Sequence, residues 1–365
     1  MKIGIDASNI RTGGGKKHLL HFINSSLNNN DNISFFLISN KTITNSFINN
    51  DRVVCKTNHL LNSLNFLSFF SQLLYSTNFF KTNNCDLVFI PGGIFVGNFK
   101  PIYTMSQNMI PFEDEQLNTF SFLKKIKFTL IRYLQINTFN KSKGIIFLSK
   151  YAKEKIQNYC EIKHKSVIIP HGIKQQKINL YKYNEKKFTI LYVSDFLPYK
   201  HNYNVVKAVS ELISEGYNIK LNLVGKNDKI QRDKIFKIIN SDNRYKNNIN
   251  VFGKLSSEEV ETHYKNSNLF LFASTCENLP FIILEAMSFG LPIVSSNKRP
   301  MIDILDGEDI FFNSMDITSI KEIISKNMSY KKLINLSEKN FNCSKEYLWD
   351  TNSYRTLSYL KNNFI

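Results

Sequence analysis

Residues 275–296 read Thr-Cys-Glu-Asn-Leu-Pro-Phe-Ile-Ile-Leu-Glu-Ala-Met-Ser-Phe-Gly-Leu-Pro-Ile-Val-Ser-Ser. An apolar run at 268–273 leads into this stretch and has the length of a buried strand. Glu277 falls in the loop just past that strand. Glu285 lies eight residues on, in a short helix that Pro280 starts and Gly290 stops. A second apolar strand follows at 292–295. Strand, loop, helix, strand is the repeating unit of a parallel α/β sheet. Ligands of such sheets bind beyond the carboxyl ends of the strands, which is where Glu277 stands. Two ionised carboxylates accept hydrogen bonds and suit a polyhydroxylated ligand. The other reading makes Glu277 a charge at a helix N-terminus and Glu285 a solvated side chain.

Working outward, the alternation extends over the whole chain. Strands are expected at 2–6, 33–39, 86–90, 101–106, 144–149 and 166–169. Helices are expected at 16–27, 118–140 and 150–159. A polar stretch at 174–187 has little that could enter a core and reads as a linker. The pattern then restarts with strands at 188–193, 219–224, 250–252, 269–272 and 293–295. A helical tail at 344–360 carries Tyr347, Trp349, Tyr354 and Leu357. The expected fold is α/β, with two Rossmann-like doubly wound domains facing a cleft.

Composition narrows the function classes. A chain of 365 residues expects two domains. The five cysteines are scattered and form no Cys-x-x-Cys pair, so neither a zinc site nor a disulfide framework is expected. Met1-Lys2 leads directly into the first strand with no signal-peptide pattern, and no apolar run reaches the roughly 18–20 residues of a membrane span. A cytoplasmic setting is expected. The formal net charge of +17 favours anionic partners. The lysines are dispersed and carry no nucleic-acid-binding motif, so phosphorylated substrates or an anionic membrane are favoured over nucleic acid.

Gly13-Gly14-Gly15 follows the first strand and opens a helix, which lets backbone amides approach an anion. It is neither Gly-x-Gly-x-x-Gly nor a P-loop, and a permissive turn is the alternative. Lys200 follows the strand 188–193 within Val193-Ser194-Asp195-Phe196-Leu197-Pro198-Tyr199-Lys200, where it suits a diphosphate or is a solvated loop lysine. Gly225 and Gly253 end two further strands and are either turn glycines or close-approach points for a ligand; Lys254 and Leu255 come next. His18 and His21 have a metal-like spacing without a third ligand, and His171 is a candidate to line the cleft. The segment from Lys124 through Lys125 and Lys127 to Arg132 mixes cations with apolar residues. It reads as a bilayer-facing segment or as a helix covering the sheet. The Phe-rich stretch 64–80 is open in the same way.

Glu277 and Glu285, followed by Ala286-Met287-x-x-Gly290-x-Pro292-Ile293-Val294, resemble the Glu-x7-Glu signature of retaining glycosyltransferases of family 4. That resemblance implies the GT-B fold and a nucleotide-diphospho-sugar donor, with no metal or other cofactor. It places Glu277 against the donor sugar and Glu285 on the ribose hydroxyls. Lys200 then matches the second cation of a Gly-Arg-x-x-x-x-Lys loop, as a catalytic group at the diphosphate, while Asp195 stands where the Arg is usual. Lys226 or Lys254 would supply the missing charge, or the phosphates would lean on helix N-termini. Asn278, Leu279 and Pro280 replace the small glycines that usually follow the first Glu, and with Gly13, Gly14, Gly15, Gly225 and Lys254 they complete the donor set. Gln107 and Asn108 occupy the loop where many members carry a cleft histidine; neither is a base, and a front-face mechanism is implied. There is no Asp-x-Asp, as a metal-clamped GT-A enzyme would require. The implied domains are 1–180 on the acceptor side, 187–343 on the donor side, and 344–365 as a helix crossing back. The acceptor would be a glycan or lipid-linked saccharide in surface polysaccharide or lipopolysaccharide assembly, reached at the inner face of the cytoplasmic membrane. A nucleotide-sugar 2-epimerase and a non-catalytic GT-B subunit are the competing readings.

Overall fold

The computed structural model describes residues 1–363 apart from 12, 30–31, 63–69, 163, 177–186 and 227. Most of the expected linker and residues 64–69 of the Phe-rich stretch therefore lie outside the described residues. The chain forms two compact units, Met1–Gly172 with Tyr347–Ile365, and Ile173–Glu346.

The first unit is built on a seven-stranded parallel sheet of order β3-β2-β1-β4-β5-β6-β7. Its strands are β1 (Lys2–Asp6), β2 (Ser34–Ile38), β3 (Val53–Lys56), β4 (Leu87–Ile90), β5 (Ile102–Ser106), β6 (Gly144–Phe147) and β7 (Lys165–Ile168). The central strands β4, β5 and β6 are buried along their whole length. This explains why β4 and β6 read as continuous apolar runs rather than alternating ones. The helices Gly13–Asn28 and Trp349–Asn362 pack on each other. The latter is tied to the β7 edge: Arg355 donates to the Ile168 carbonyl at 2.8 Å and the Tyr359 hydroxyl donates to the Lys165 carbonyl at 2.6 Å.

The second unit has a six-stranded parallel sheet of order β10-β9-β8-β11-β12-β13. Its strands are β8 (Phe188–Val193), β9 (Ile219–Val224), β10 (Ile249–Val251), β11 (Leu269–Phe272), β12 (Ile293–Ser296) and β13 (Phe311–Phe312). β8 and β11 lie side by side at the centre, with Leu269 opposite Ile190 and Phe270 opposite Leu191. The core is apolar: Ile190, Leu191, Leu221, Phe270, Leu271 and Ile293 are fully buried. Two α/β Rossmann-like domains with parallel sheets are the GT-B architecture.

Three local expectations are corrected. The helix expected at 118–140 is two, Asp114–Thr119 and Phe122–Lys141, because Phe120 and Ser121 are extended and the second helix restarts after Ser121. The tail helix begins at Trp349 rather than at 344: Ser344 ends the preceding helix Tyr330–Ser344, and Leu348 is extended. The short strands β3 and β13 were not expected: β3 buries only Val53 of its four residues, and β13 is two residues long.

Candidate functional site

In the second unit the chain winds outward from β8 in both directions, through β9 and β10 on one side and β11, β12 and β13 on the other. The order reverses between β8 and β11, and the crevice outside their carboxyl ends is the ligand position that the topology creates. The loop after β8 supplies Lys200 and the loop after β11 supplies Glu277. The two loops are laced together: the Thr275 amide and hydroxyl donate to the Tyr199 carbonyl at 2.9 and 3.3 Å.

Lys200 and Glu277 form an ion pair, Nζ to Oε1, with side chains only 12% and 15% exposed. Such shielding makes the charge-assisted bond stronger than a surface pair. The ammonium also lies 5.4 Å from the Tyr199 ring centroid and 5.3 Å from that of Phe272, so aromatic faces support the cation. Burial, with the charge of Glu277 adding to it, pushes the phenols of Tyr192 and Tyr199 well up and keeps them neutral. The Tyr192 hydroxyl donates to the Lys200 carbonyl and fixes the backbone of that loop.

His201, which sequence reasoning passed over, completes the lacing. It sits in the left-handed region (φ 50) and starts the helix Asn202–Ser214. Its Nε2 is 3.0 Å from the Thr275 hydroxyl, and burial pushes its imidazole down to about 4. Only its position next to Lys200 could have drawn notice.

Asp195 has a structural task. Its carboxylate accepts the Lys226 amide at 2.9 Å, and the Phe196 amide donates to the Lys226 carbonyl at 2.9 Å. The loops after β8 and β9 are thereby zipped together. Gly225 permits this approach: its φ is +150, and a Cβ there would stand 2.0 Å from the Ser194 carbonyl oxygen. The turn-glycine reading of Gly225 thus has a direct geometric basis. The Gly225 amide donates to the Gly253 carbonyl at 2.8 Å, which joins the third loop. Lys226 and Lys254 are exposed.

Glu285 lies in the helix Phe281–Ser288, which Pro280 precedes. Its Oε2 accepts from the Tyr264 hydroxyl at 3.4 Å. Tyr264 is buried and stacked on Phe289, with ring centroids 5.2 Å apart, and burial with the Glu285 charge pushes its phenol well up. Asn278, Leu279 and Pro280 are buried and form the turn between Glu277 and that helix.

In the first unit Gly13, Gly14 and Gly15 are the opening residues of the helix Gly13–Asn28 rather than a loop ahead of it. Gly13 has φ +68 with open space where a Cβ would be, and a Cβ on Gly15 would stand 2.8 Å from the Gln107 amide oxygen. Asp6, at the end of β1, is buried and accepts from the Ser8 amide, the Ser8 hydroxyl and Gln72 at 3.1, 2.5 and 3.0 Å. Burial raises its pKa. His171 is buried rather than lining an opening: its Nδ1 is 3.3 Å from His18 Nδ1. His21 stacks on Trp349 with centroids 4.3 Å apart. His18 and His21 are thus packing residues, and among the described residues no group of three His, Cys, Asp or Glu could hold a metal ion.

Residues 174–340 match the family model described as glycosyl transferases group 1, which covers the second unit and both Lys200 and Glu277. Protein CapJ of Staphylococcus aureus is 27% identical over 215 residues, covering 58% of this chain and 53% of that protein. The capsular polysaccharide biosynthesis glycosyltransferase CapM of the same organism is 24% identical over 242 residues, covering 56% and 61%. The chain thus spans about half the length of the curated relatives it matches (53% and 61%). Among solved structures, HepE of Anabaena in complex with UDP and glucose superposes with a TM-score of 0.71 at 15% identity, covering 99% of this chain and all of that one. That likeness establishes the fold.

Proposed function

We propose that the chain is a retaining glycosyltransferase of the family 4 type. It moves a sugar from a nucleotide-diphospho-sugar to a glycan or lipid-linked acceptor in surface polysaccharide or lipopolysaccharide assembly, at the inner face of the cytoplasmic membrane. The observation that carries the reading is the shielded Lys200–Glu277 pair at the strand-order reversal, inside the stretch that matches the family model. CapM supports the polysaccharide setting by its name, and the UDP and glucose of HepE support the donor class.

In this reading the diphosphate takes over Lys200, and Glu277 turns its oxygens to the sugar hydroxyls. The bond between the anomeric carbon and the diphosphate oxygen breaks, and its electron pair leaves with the diphosphate. The acceptor oxygen bonds to the same face of that carbon, and its proton passes to the departing phosphate oxygen. Lys200 offsets the charge that develops on the leaving group. Glu285 grips the ribose, with Tyr264 holding it in place. Gly225, Lys254, Asn278, Leu279 and Pro280 line the donor, and Gly13–Gly15 present amides to an anion.

A thermal-shift panel of nucleotide sugars tests this. At least one nucleotide-diphospho-sugar should raise the melting temperature, and its nucleoside diphosphate should appear on addition of acceptor extracts. A well-folded protein that no nucleotide sugar stabilises would sink the reading.

A further inference from the structure

The helix Phe122–Lys141 carries an apolar face that the fold leaves in solvent. Its inward side is narrow: Gln135, Thr138 and Phe139 are the buried residues. On the opposite side Phe122, Leu123, Ile126, Leu130 and Tyr133 are between 51% and 78% exposed. At 3.6 residues per turn these five fall within an arc of about 100°. Lys125 borders the arc on one side and Lys127 on the other, and the twenty-residue helix has no acidic residue. Arg132 is not part of this face: it pairs with Asp114 at 3.0 Å and lies over the Tyr159 ring.

A second element exposes apolar side chains nearby. Residues Leu73, Leu74 and Tyr75 are exposed, and their helical segment holds the same short stretch of chain as the first helix. Gln72 donates to the Ile94 carbonyl at 2.9 Å and Thr77 accepts the Asn98 amide at 2.9 Å, while Thr138 accepts the Phe95 amide at 2.9 Å.

We propose that this face of the first unit docks on an anionic lipid surface, with the apolar arc entering the headgroup–acyl boundary and the lysines against lipid phosphates. An apolar stripe edged by lysines is the pattern of a helix lying in a bilayer interface. The charge identifies the occupant. A second copy of the same face would bring lysines against lysines, whereas an anionic bilayer complements them. No helix among the described residues is long and apolar enough to cross a membrane. The inference stands without the glycosyltransferase reading.

Co-sedimentation of the full chain with vesicles tests it. Vesicles of phosphatidylcholine with one third phosphatidylglycerol should bind the protein at low salt. Phosphatidylcholine alone, or high salt, should weaken binding at least tenfold. Replacing Lys125 and Lys127 by alanine should cost about thirtyfold at roughly 1 kcal/mol per lysine. The Ile126→Asp/Leu130→Asp variant alters only exposed side chains, should melt like the parent, and should bind at least tenfold more weakly. A folded protein that ignores anionic vesicles at low salt overturns the proposal. Variants that bind as the parent does also overturn it. So does a dimer that the aspartates dissociate while vesicles go unbound, which would make the face a self-association surface.

Discussion

Glu277→Gln should tighten binding of the nucleoside diphosphate while it slows sugar transfer. Lys200 is engaged by Glu277. A diphosphate must displace that carboxylate before it can use the ammonium. A hydrogen bond to a charged group contributes roughly 1.5–3 kcal/mol, and each 1.4 kcal/mol is a tenfold change in affinity. Glutamine removes the competing charge and its repulsion of the phosphates but keeps the side-chain volume. Both partners retain some exposure, so the low end applies and the gain should be about tenfold. Turnover should move the other way, because an interaction that strengthens as charge develops at the sugar is lost. Calorimetry with the nucleoside diphosphate and initial rates with the donor measure the two effects. Lys200→Ala supplies the control: it should weaken the diphosphate far more than the bare nucleoside. A folded Glu277→Gln protein with unchanged or weaker diphosphate affinity would refute the idea that the pair is the resting state of a phosphate site.

Glu285→Ala should weaken nucleotide binding more than tenfold, since a carboxylate on two ribose hydroxyls makes two charge-assisted bonds of roughly 1.5–3 kcal/mol each; equal affinity in titration calorimetry removes it from the site. Gly225→Ala should lower the melting temperature by about 6–12 °C, as about 3 kcal/mol of strain at a positive φ against the Ser194 carbonyl would; an unchanged melt contradicts the close approach. Acid should destabilise the first unit through His18, whose imidazole burial and the nearby His21 push down to about 4. The unfolded chain binds the proton near 6.5 and the folded one does not, so this stability is whole above that pH and falls away toward pH 4, by about 3 kcal/mol in all. His171 is shifted in the same direction. His18→Gln should flatten the loss between those pH values in a urea titration, and an unaltered slope assigns the acid sensitivity to other groups.

Much of the fold was legible because buried parallel strands are continuous apolar runs with loops at fixed rhythm, as in β4, β6 and β11. The edge strands β3 and β13 were not, since β3 has a single buried residue and β13 is only two residues long. Glu277 and Lys200 could each be singled out by their place after a strand. Their pairing could not, because 77 residues separate them and only the strand order sets β8 beside β11. The same holds for His18 and His171, 153 residues apart, whose contact depends on the turn after β7 meeting the first helix. His18 and His21 have the spacing of a metal pair, but without a third ligand a surface or core role was the expectation, and both pack against Trp349.

The substitution of Asp195 for the usual cation bears directly on whether such a site can work. One positive charge fewer and one negative charge more should disfavour a diphosphate if the carboxylate faced it. Asp195 instead spends an oxygen on the Lys226 amide, and so holds the β8 and β9 loops together at the point where Gly225 permits contact. That hydrogen bond directs its charge at a backbone dipole and leaves Lys226 and Lys254, both exposed, on the neighbouring loops. In the proposed reading the site has, in place of the guanidinium usual in the family it resembles, a joined pair of loops beside two exposed lysines. Lysine binds phosphate as a point charge rather than as a planar fork. A donor held this way should depend more steeply on salt, and less on the geometry of any one cation, than a donor gripped by arginine.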